Sequence, residues 1–337
     1  MRNIITSLII HYPTRNSKML SISKLAMKAP WGRPLSQLLL LLLSSSLSLS
    51  SALAPLRADV YNTPAIPANS TLPDGSTGFW QPTVVTLVSG ESEAVLIDTF
   101  FTVEQGVALG DWLQDTLGEK RLTTIYITHG HGDHWFNAVY LKERFPGVRV
   151  VSTQESIDHM VTQVTPESRA FWNGLFPGQI AESSFEILAE PLKNNRFFLE
   201  GHRLEAMDVG HSDTDNTTFL YVPDLELAAC GDIVYNDVHM WLVESTLQSQ
   251  RDAWIRALDG VAAHDPAIVI GAHHRLGGID GAFNIEASKK YLKTFSEEKR
   301  KSNSALEFYN NMLKAFPSRL GTLVLWLSCQ AAFPSST

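Results

Sequence analysis

The run Thr128-His129-Gly130-His131-Gly132-Asp133-His134 restricts the folds open to this chain more than any other stretch. It sets three imidazoles and a carboxylate in one tight turn, directly after Leu122 to Ile127, whose apolar pattern predicts a strand. Imidazole nitrogen suits zinc and similar divalent ions, and a hard carboxylate beside it allows a second ion and holds a water. The two intervening glycines have no side chain to block an ion and can take positive φ, which lets the backbone fold the ligands inward. A chain carrying this run therefore needs a fold that gathers further ligands around one strand end.

Further donors stand at the ends of apolar runs. Gly210-His211-Ser212 follows the alternating segment Leu204-Glu205-Ala206-Met207-Asp208-Val209. Asp232 closes Ala228-Ala229-Cys230-Gly231-Asp232, and His273 closes Ala267-Ile268-Val269-Ile270-Gly271-Ala272-His273. His274 is a neighbouring alternative, although His273 fits the strand register better.

The spacing His-x-His-x-Asp-His resembles the signature of the metallo-β-lactamase superfamily, and the later donors follow in that family's order over about residues 75 to 275. The resemblance implies an α/β fold, an αββα sandwich of two mixed β-sheets flanked by helices. Carried over residue by residue, it implies His129, His131 and His211 on one metal and Asp133, His134 and His273 on the other, with Asp232 bridging them. The implied cofactors are two divalent metal ions, zinc first, with iron or manganese as alternatives. Two cations about 3.5 to 4 Å apart can share one hydroxide and polarise a carbonyl or phosphoryl oxygen. Asp133 is then the implied catalytic residue, binding one ion and orienting the nucleophile.

Within the superfamily, Asp232 is similar to the aspartate kept by glyoxalase-II-like thioesterases and lactonases, where the zinc β-lactamases carry Cys or another non-carboxylate residue. The implied activity is hydrolysis of an ester, lactone, thioester or amide carbonyl of a small-molecule substrate. The alternatives are an iron-dependent oxidoreductase of the persulfide dioxygenase kind and a true β-lactamase. Tyr235, Asn236 and His239 follow the bridging position and are either substrate contacts or a polar loop at a strand end. Arg275 sits close to the last ligand, and Trp172 belongs to an insertion, residues 156 to 185, that reads either as core or as a wall over the metals.

Charge and the amino-terminal residues bound the rest. Positions 1 to 58 hold seven of the 27 basic residues and no acid, which leaves 20 basic against 35 acidic side chains in the remainder. A body near −15 repels phosphate backbones, which counts against nucleic acid as a partner. The acid-free start, the leucine block Leu38 to Leu43 and the small-residue exits at Ala54 and Ala58 read as a signal segment, giving a secreted or periplasmic protein. An organelle-targeted or membrane-anchored protein is the alternative, and no stable membrane span is expected. Residues 59 to 282 are assigned to the catalytic domain and 283 to 337 to a helical extension packed on it. Cys230 and Cys329 are the only cysteines, so there is no disulfide framework. The Pro-rich stretch 55 to 80 reads as an extended lead-in, followed by a hairpin at 83 to 97, a helix at 103 to 117 and a helix at 135 to 145.

Overall fold

The computed structural model describes residues 53–334, so most of the expected signal segment lies outside the described residues. Two mixed sheets stack face to face. The first runs, in spatial order, Arg57–Asn62, Val84–Ser89, Glu93–Ile97, Arg121–Tyr126, Arg149–Ser152 and Glu190–Pro191. Its first three strands pair antiparallel and the rest parallel. The second runs Ile268–Ile270, Leu227–Ala229, Thr217–Val222, His202–Gly210 and Arg196–Leu199, parallel only between the first two.

Strand alternation builds three apolar layers. Val84, Val88, Val95, Ile97 and Tyr126 of the first sheet meet Leu204, Leu220, Val222, Leu227 and Ile270 of the second between the sheets. The opposite face of the first sheet, including Leu96 and Ile125, packs on helices α1 (Val103–Leu117) and α2 (Ala138–Arg144) through Leu109, Leu113 and Leu141. All six residues of Val84–Ser89 are buried, because this strand is covered on both faces. The outer face of the second sheet packs Phe219, Ala228 and Val269 against Trp254, Leu258 and Phe295 of the carboxyl-terminal helices. The layer order is therefore helix, sheet, sheet, helix, in agreement with the αββα architecture.

Local chemistry sets the element ends. Thr102 and Gln105 form a reciprocal capping box at the start of α1, and Gly118 ends the helix at φ 57°. Val107, which shares the apolar spacing of α1, is nevertheless 43% exposed, because the helix presents a narrower buried stripe than its sequence offers. The segment 135 to 145 is helical only from Ala138; residues Gly132–His134 form a 3-10 turn. The insertion folds as α3 (Gln154–Gln163) and α4 (Pro166–Leu175), capped by Thr153 and Thr165. Then come α5 (Gln248–Ala262), α6 (Phe283–Lys301), α7 (Ala305–Ala315) and α8 (Thr322–Ala332). In α8, Leu323 and Val324 join the α1-side core while Leu325 joins the other, so this helix closes one end of both layers.

The lead-in departs from its expectation. Arg57–Asn62 is an edge strand paired with Val84–Ser89 from Arg57 onward, and Ile66–Thr71 pairs with Thr77–Trp80 as a separate hairpin. Leu56 is buried and the Ala54 carbonyl accepts from His202 Nε2 at 2.8 Å. The folded body thus begins before residue 59, and cleavage at Ala58 would cut a paired strand. No helix among the described residues is long and apolar enough to cross a membrane.

Candidate metal centre

The glycines of the histidine turn are required by close approach. Neither Gly130 nor Gly132 has positive φ. A Cβ on Gly132 would lie 2.2 Å from the Phe136 ring, and one on Gly130 would lie 2.4 Å from His159 Nδ1. Positive φ occurs instead at Asp98 (60°), just past the end of Glu93–Ile97. That strained position is held by function-bearing contacts. Asp98 accepts from the Thr128 backbone N–H and hydroxyl, both at 2.8 Å, and lies 3.0 Å from His134 Nδ1.

Each ring that faces the centre has its outer nitrogen engaged. His134 Nδ1 points to Asp98, His273 Nδ1 to the Pro82 carbonyl at 2.9 Å, and His129 Nδ1 to Thr128 Oγ1 at 3.0 Å. His131 is turned the other way, with Nε2 2.8 Å from Glu244 Oε1 and Nδ1 facing inward. Because these partners accept the ring proton, the inward nitrogens are left with their lone pairs. Among the described residues, His134 Nε2, His273 Nε2, Asp213 Oδ2 and Asp232 Oδ1 are buried with no hydrogen-bond partner. A buried polar atom left unmet costs about 1–3 kcal/mol, which gives these four a reason to be bound. Divalent cations fit this set.

Distances sort the ligands. Asp232 Oδ1 is 3.3 Å from His134 Nε2 and 3.4 Å from His273 Nε2, and it can share a cation with His129 and His134. Asp133, His134 and His273 form a second set, with Asp133 Oδ2 3.4 Å from His273 Nε2. The third set is His129, His131 and Asp213, with Asp213 Oδ2 2.8 Å from His131 Nδ1 and 3.3 Å from His129 Nε2. His211, the residue implied for this place, is elsewhere: Nδ1 is 2.6 Å from Asp215 and Nε2 is 2.8 Å from Ser245 Oγ. The strand His202–Gly210 has a register shift between Asp208 and Gly210, and Gly210 takes φ 76°, which re-aims the residues that follow.

The electrostatics match a cationic load. Burial pushes the carboxyls of Asp133, Asp213 and Asp232 up, but the surrounding imidazoles more than reverse this and hold all three below the usual range. Burial likewise opposes charge on His131, His134 and His273, and the carboxylates overcome it, raising all three.

The remaining predicted residues divide. Tyr235 is fully buried and its hydroxyl donates to Asp232 Oδ2, so it holds that carboxylate and does not line the cavity. His239 lies in the core 3.0 Å from the Tyr291 hydroxyl, its pKa pushed down to about 3 by burial and then by Arg319. Arg275 pairs with Asp237 at 2.7 Å and with the Ser318 carbonyl, pointing away from the centre. Asn236 donates to the Ile279 carbonyl and braces the loop after His273. His274 is 3.0 Å from Asp280 and not among the inward ligands. Trp172 does reach the site.

A cavity of about 290 Å³ opens over the centre, with Asp133, Asp232, His131 and His273 in its floor. Trp80, Phe171, Trp172 and Trp241 wall it, and Glu167 and Glu244 also line it. Trp172 is 3% exposed and belongs at the same time to the α1-side core, so wall and core are one role. Trp80 Nε1 donates to Asp133 Oδ2 at 3.2 Å, tying the wall to the floor. Trp80, Trp241, Asp213 and Glu244 escaped the sequence reading; only Asp213, two residues past His211, had a usable signal.

Comparison with known proteins places this geometry. A family model described as metallo-beta-lactamase superfamily matches residues 78–273, more than half of the chain. A search of curated proteins found no match. Among solved structures, a metallo-beta-lactamase family protein from Thermus thermophilus is similar at 18% identity and TM-score 0.53, covering 81% of this chain and 91% of its own. The structure of VMB-1 is similar at 12% identity and TM-score 0.51, covering 72% of this chain and 94% of its own. At these identities the two structures speak to fold alone. With the αββα layers and the converging His and Asp ligands, the family match identifies the chain as a member of the metallo-beta-lactamase superfamily.

Proposed function

We propose that the protein is a metal-dependent hydrolase, of the glyoxalase-II or lactonase-like branch, that opens an uncharged ester or lactone carbonyl using two zinc ions. The observation that carries this reading is the floor of the cavity, where Asp133 and Asp232 face the space above among His131 and His273. Two divalent cations bound there supply an acidified water and polarise the substrate carbonyl. Asp133 is held by the Trp80 indole N–H and so keeps a fixed direction from which to accept a proton from the attacking water. Phe171, Trp172 and Trp241 exclude bulk water and receive an apolar acyl or alcohol portion.

Charge narrows the substrate further. Among the described residues no Lys or Arg lines the cavity, whereas Glu167 and Glu244 do. Burial pushes the Glu244 carboxyl up, but His131 beside it more than reverses this and holds it at about 2. Anionic substrates such as glutathione thioesters, phosphodiesters and cephalosporins would face two carboxylates with no basic side chain to answer them. The test is kcat/KM on metal-quantified protein across neutral lactones and esters, glutathione thioesters, phosphodiesters and cephalosporins. Neutral lactones or esters are expected to lead the panel. A cephalosporin or phosphodiester turned over faster than every neutral substrate would overturn the proposal, and metal analysis of protein purified without added zinc checks the ion.

A further inference from the structure

We propose that Asp213, and not His211, completes the first cation site, making it a two-histidine, one-carboxylate site. The inference rests on the metal-dependent reading above for its cations, but on geometry for its ligand. Asp213 is fully buried, a position a carboxylate occupies at large cost unless its charge is met. Its Oδ1 accepts from the Ser212 hydroxyl at 2.7 Å, which fixes the carboxylate plane and leaves Oδ2 alone to face the centre. Oδ2 has no hydrogen-bond partner and stands 2.8 Å from His131 Nδ1 and 3.3 Å from His129 Nε2, within reach of one shared ion. His211 has both ring nitrogens engaged by Asp215 and Ser245.

His211 acquires a different role. Ser245, which it contacts, donates to the Ser212 carbonyl, and its own carbonyl accepts from Arg251. Glu244 is the next residue back in the chain and holds His131 Nε2 at 2.8 Å. His211 thus has a structural role, contacting Ser245 in the turn that follows Glu244.

The ligand exchange changes what the centre prefers. Four imidazoles and three carboxylates, Asp133, Asp213 and Asp232, surround the ions, one negative charge more than with His211 in place. The added hard oxygen donor shifts preference toward harder divalent ions such as manganese or iron relative to an all-imidazole first site.

The experiment counts metal and does not depend on turnover. Metal-free full-length protein and its Asp213→Ala, Asp213→Asn and His211→Ala variants are titrated with Co2+ by calorimetry, with elemental analysis of the recovered protein and visible absorption of the bound ion. Circular dichroism and melting follow each variant. Wild type and His211→Ala are expected to bind about two ions with similar spectra. Both Asp213 variants should lose about one equivalent, or bind it at least about tenfold more weakly, with altered bands from the ion that remains. Asp213→Asn keeps the shape of the side chain, so its loss reads the ligand even where Asp213→Ala folds poorly. Full stoichiometry in both Asp213 variants, or loss of one ion in His211→Ala alone, overturns the assignment. A wild type that binds two ions but hydrolyses none of the neutral substrates sinks the proposed activity and leaves the Asp213 assignment standing.

Discussion

At the scale of single residues, the proposed metal centre makes different demands on Asp133 and Tyr235. Asp133→Asn preserves shape and the Trp80 contact while removing the charge on which its two proposed roles, metal ligand and proton acceptor, both rest. The expected result is a fall in kcat on the order of a hundredfold with KM little changed, measured with metal content checked. Full kcat with both metals bound would exclude Asp133 as proton acceptor. Tyr235→Phe removes only the hydroxyl that holds Asp232. Metal affinity is expected to drop about 10–100-fold while KM of the reconstituted enzyme stays near wild type, as for other partners of metal ligands. A KM defect instead would return Tyr235 to the substrate.

Elements decide how the wall and the inter-sheet turn behave. Trp172 on α4 packs on Trp80, Phe101 and Phe136 while lining the cavity, so Trp172→Ala should raise KM and also destabilise the fold by about 3–5 kcal/mol. Loss of stability at unchanged KM would make α4 core alone. The turn between Val84–Ser89 and Glu93–Ile97 is held by Glu200, from the opposite sheet. Its carboxylate accepts from the backbone N–H groups of Glu91, Ser92 and Glu93 at 2.6–2.7 Å. Those bonds, led by the Ser92 N–H, lower Glu200 from its ordinary 4.5 to about 2. A depressed folded-state carboxyl adds stability above its unfolded value, and that contribution is lost as pH falls from about 4.5 through about 2. Glu200→Gln should therefore lower Tm at pH 7 by a few degrees, about 2–4 °C, and the gap from wild type should close in acid. A gap that persists below about pH 2 would mean that the charge is irrelevant.

For the whole molecule, the amino-terminal edge strand sets where processing can occur. Leu56 is buried and Arg57 opposes Ser89, so any amino-terminal cleavage that spares this strand leaves the chain intact from about residue 55 onward. Amino-terminal sequencing of the folded protein should find a start at or before Pro55. A mature protein starting after Ala58 with an unchanged melting temperature would show that the first residues of this strand contribute nothing.

Sequence by itself determined what depends on neighbours along the chain. The histidine turn carries four donors in six positions, and alternation within Leu204 to Val209 and the apolar runs marked strands wherever one face meets a core. The helix over Val103–Leu117 and the hairpin Val84–Ser89 with Glu93–Ile97 were legible for the same local reason. Only tertiary structure decided which donors at a strand end face inward. His211 and Asp213 are two residues apart, and the bulge at Asp208 to Gly210 with its left-handed glycine chooses between them through a backbone rotation that no spacing rule records. Trp80, Glu244 and Trp241 reach the cavity from segments far apart in sequence, because the two sheets and α4 enclose one space. Side-chain direction at an irregular strand end and convergence across a sandwich both follow from packing, which periodicity along the chain does not encode.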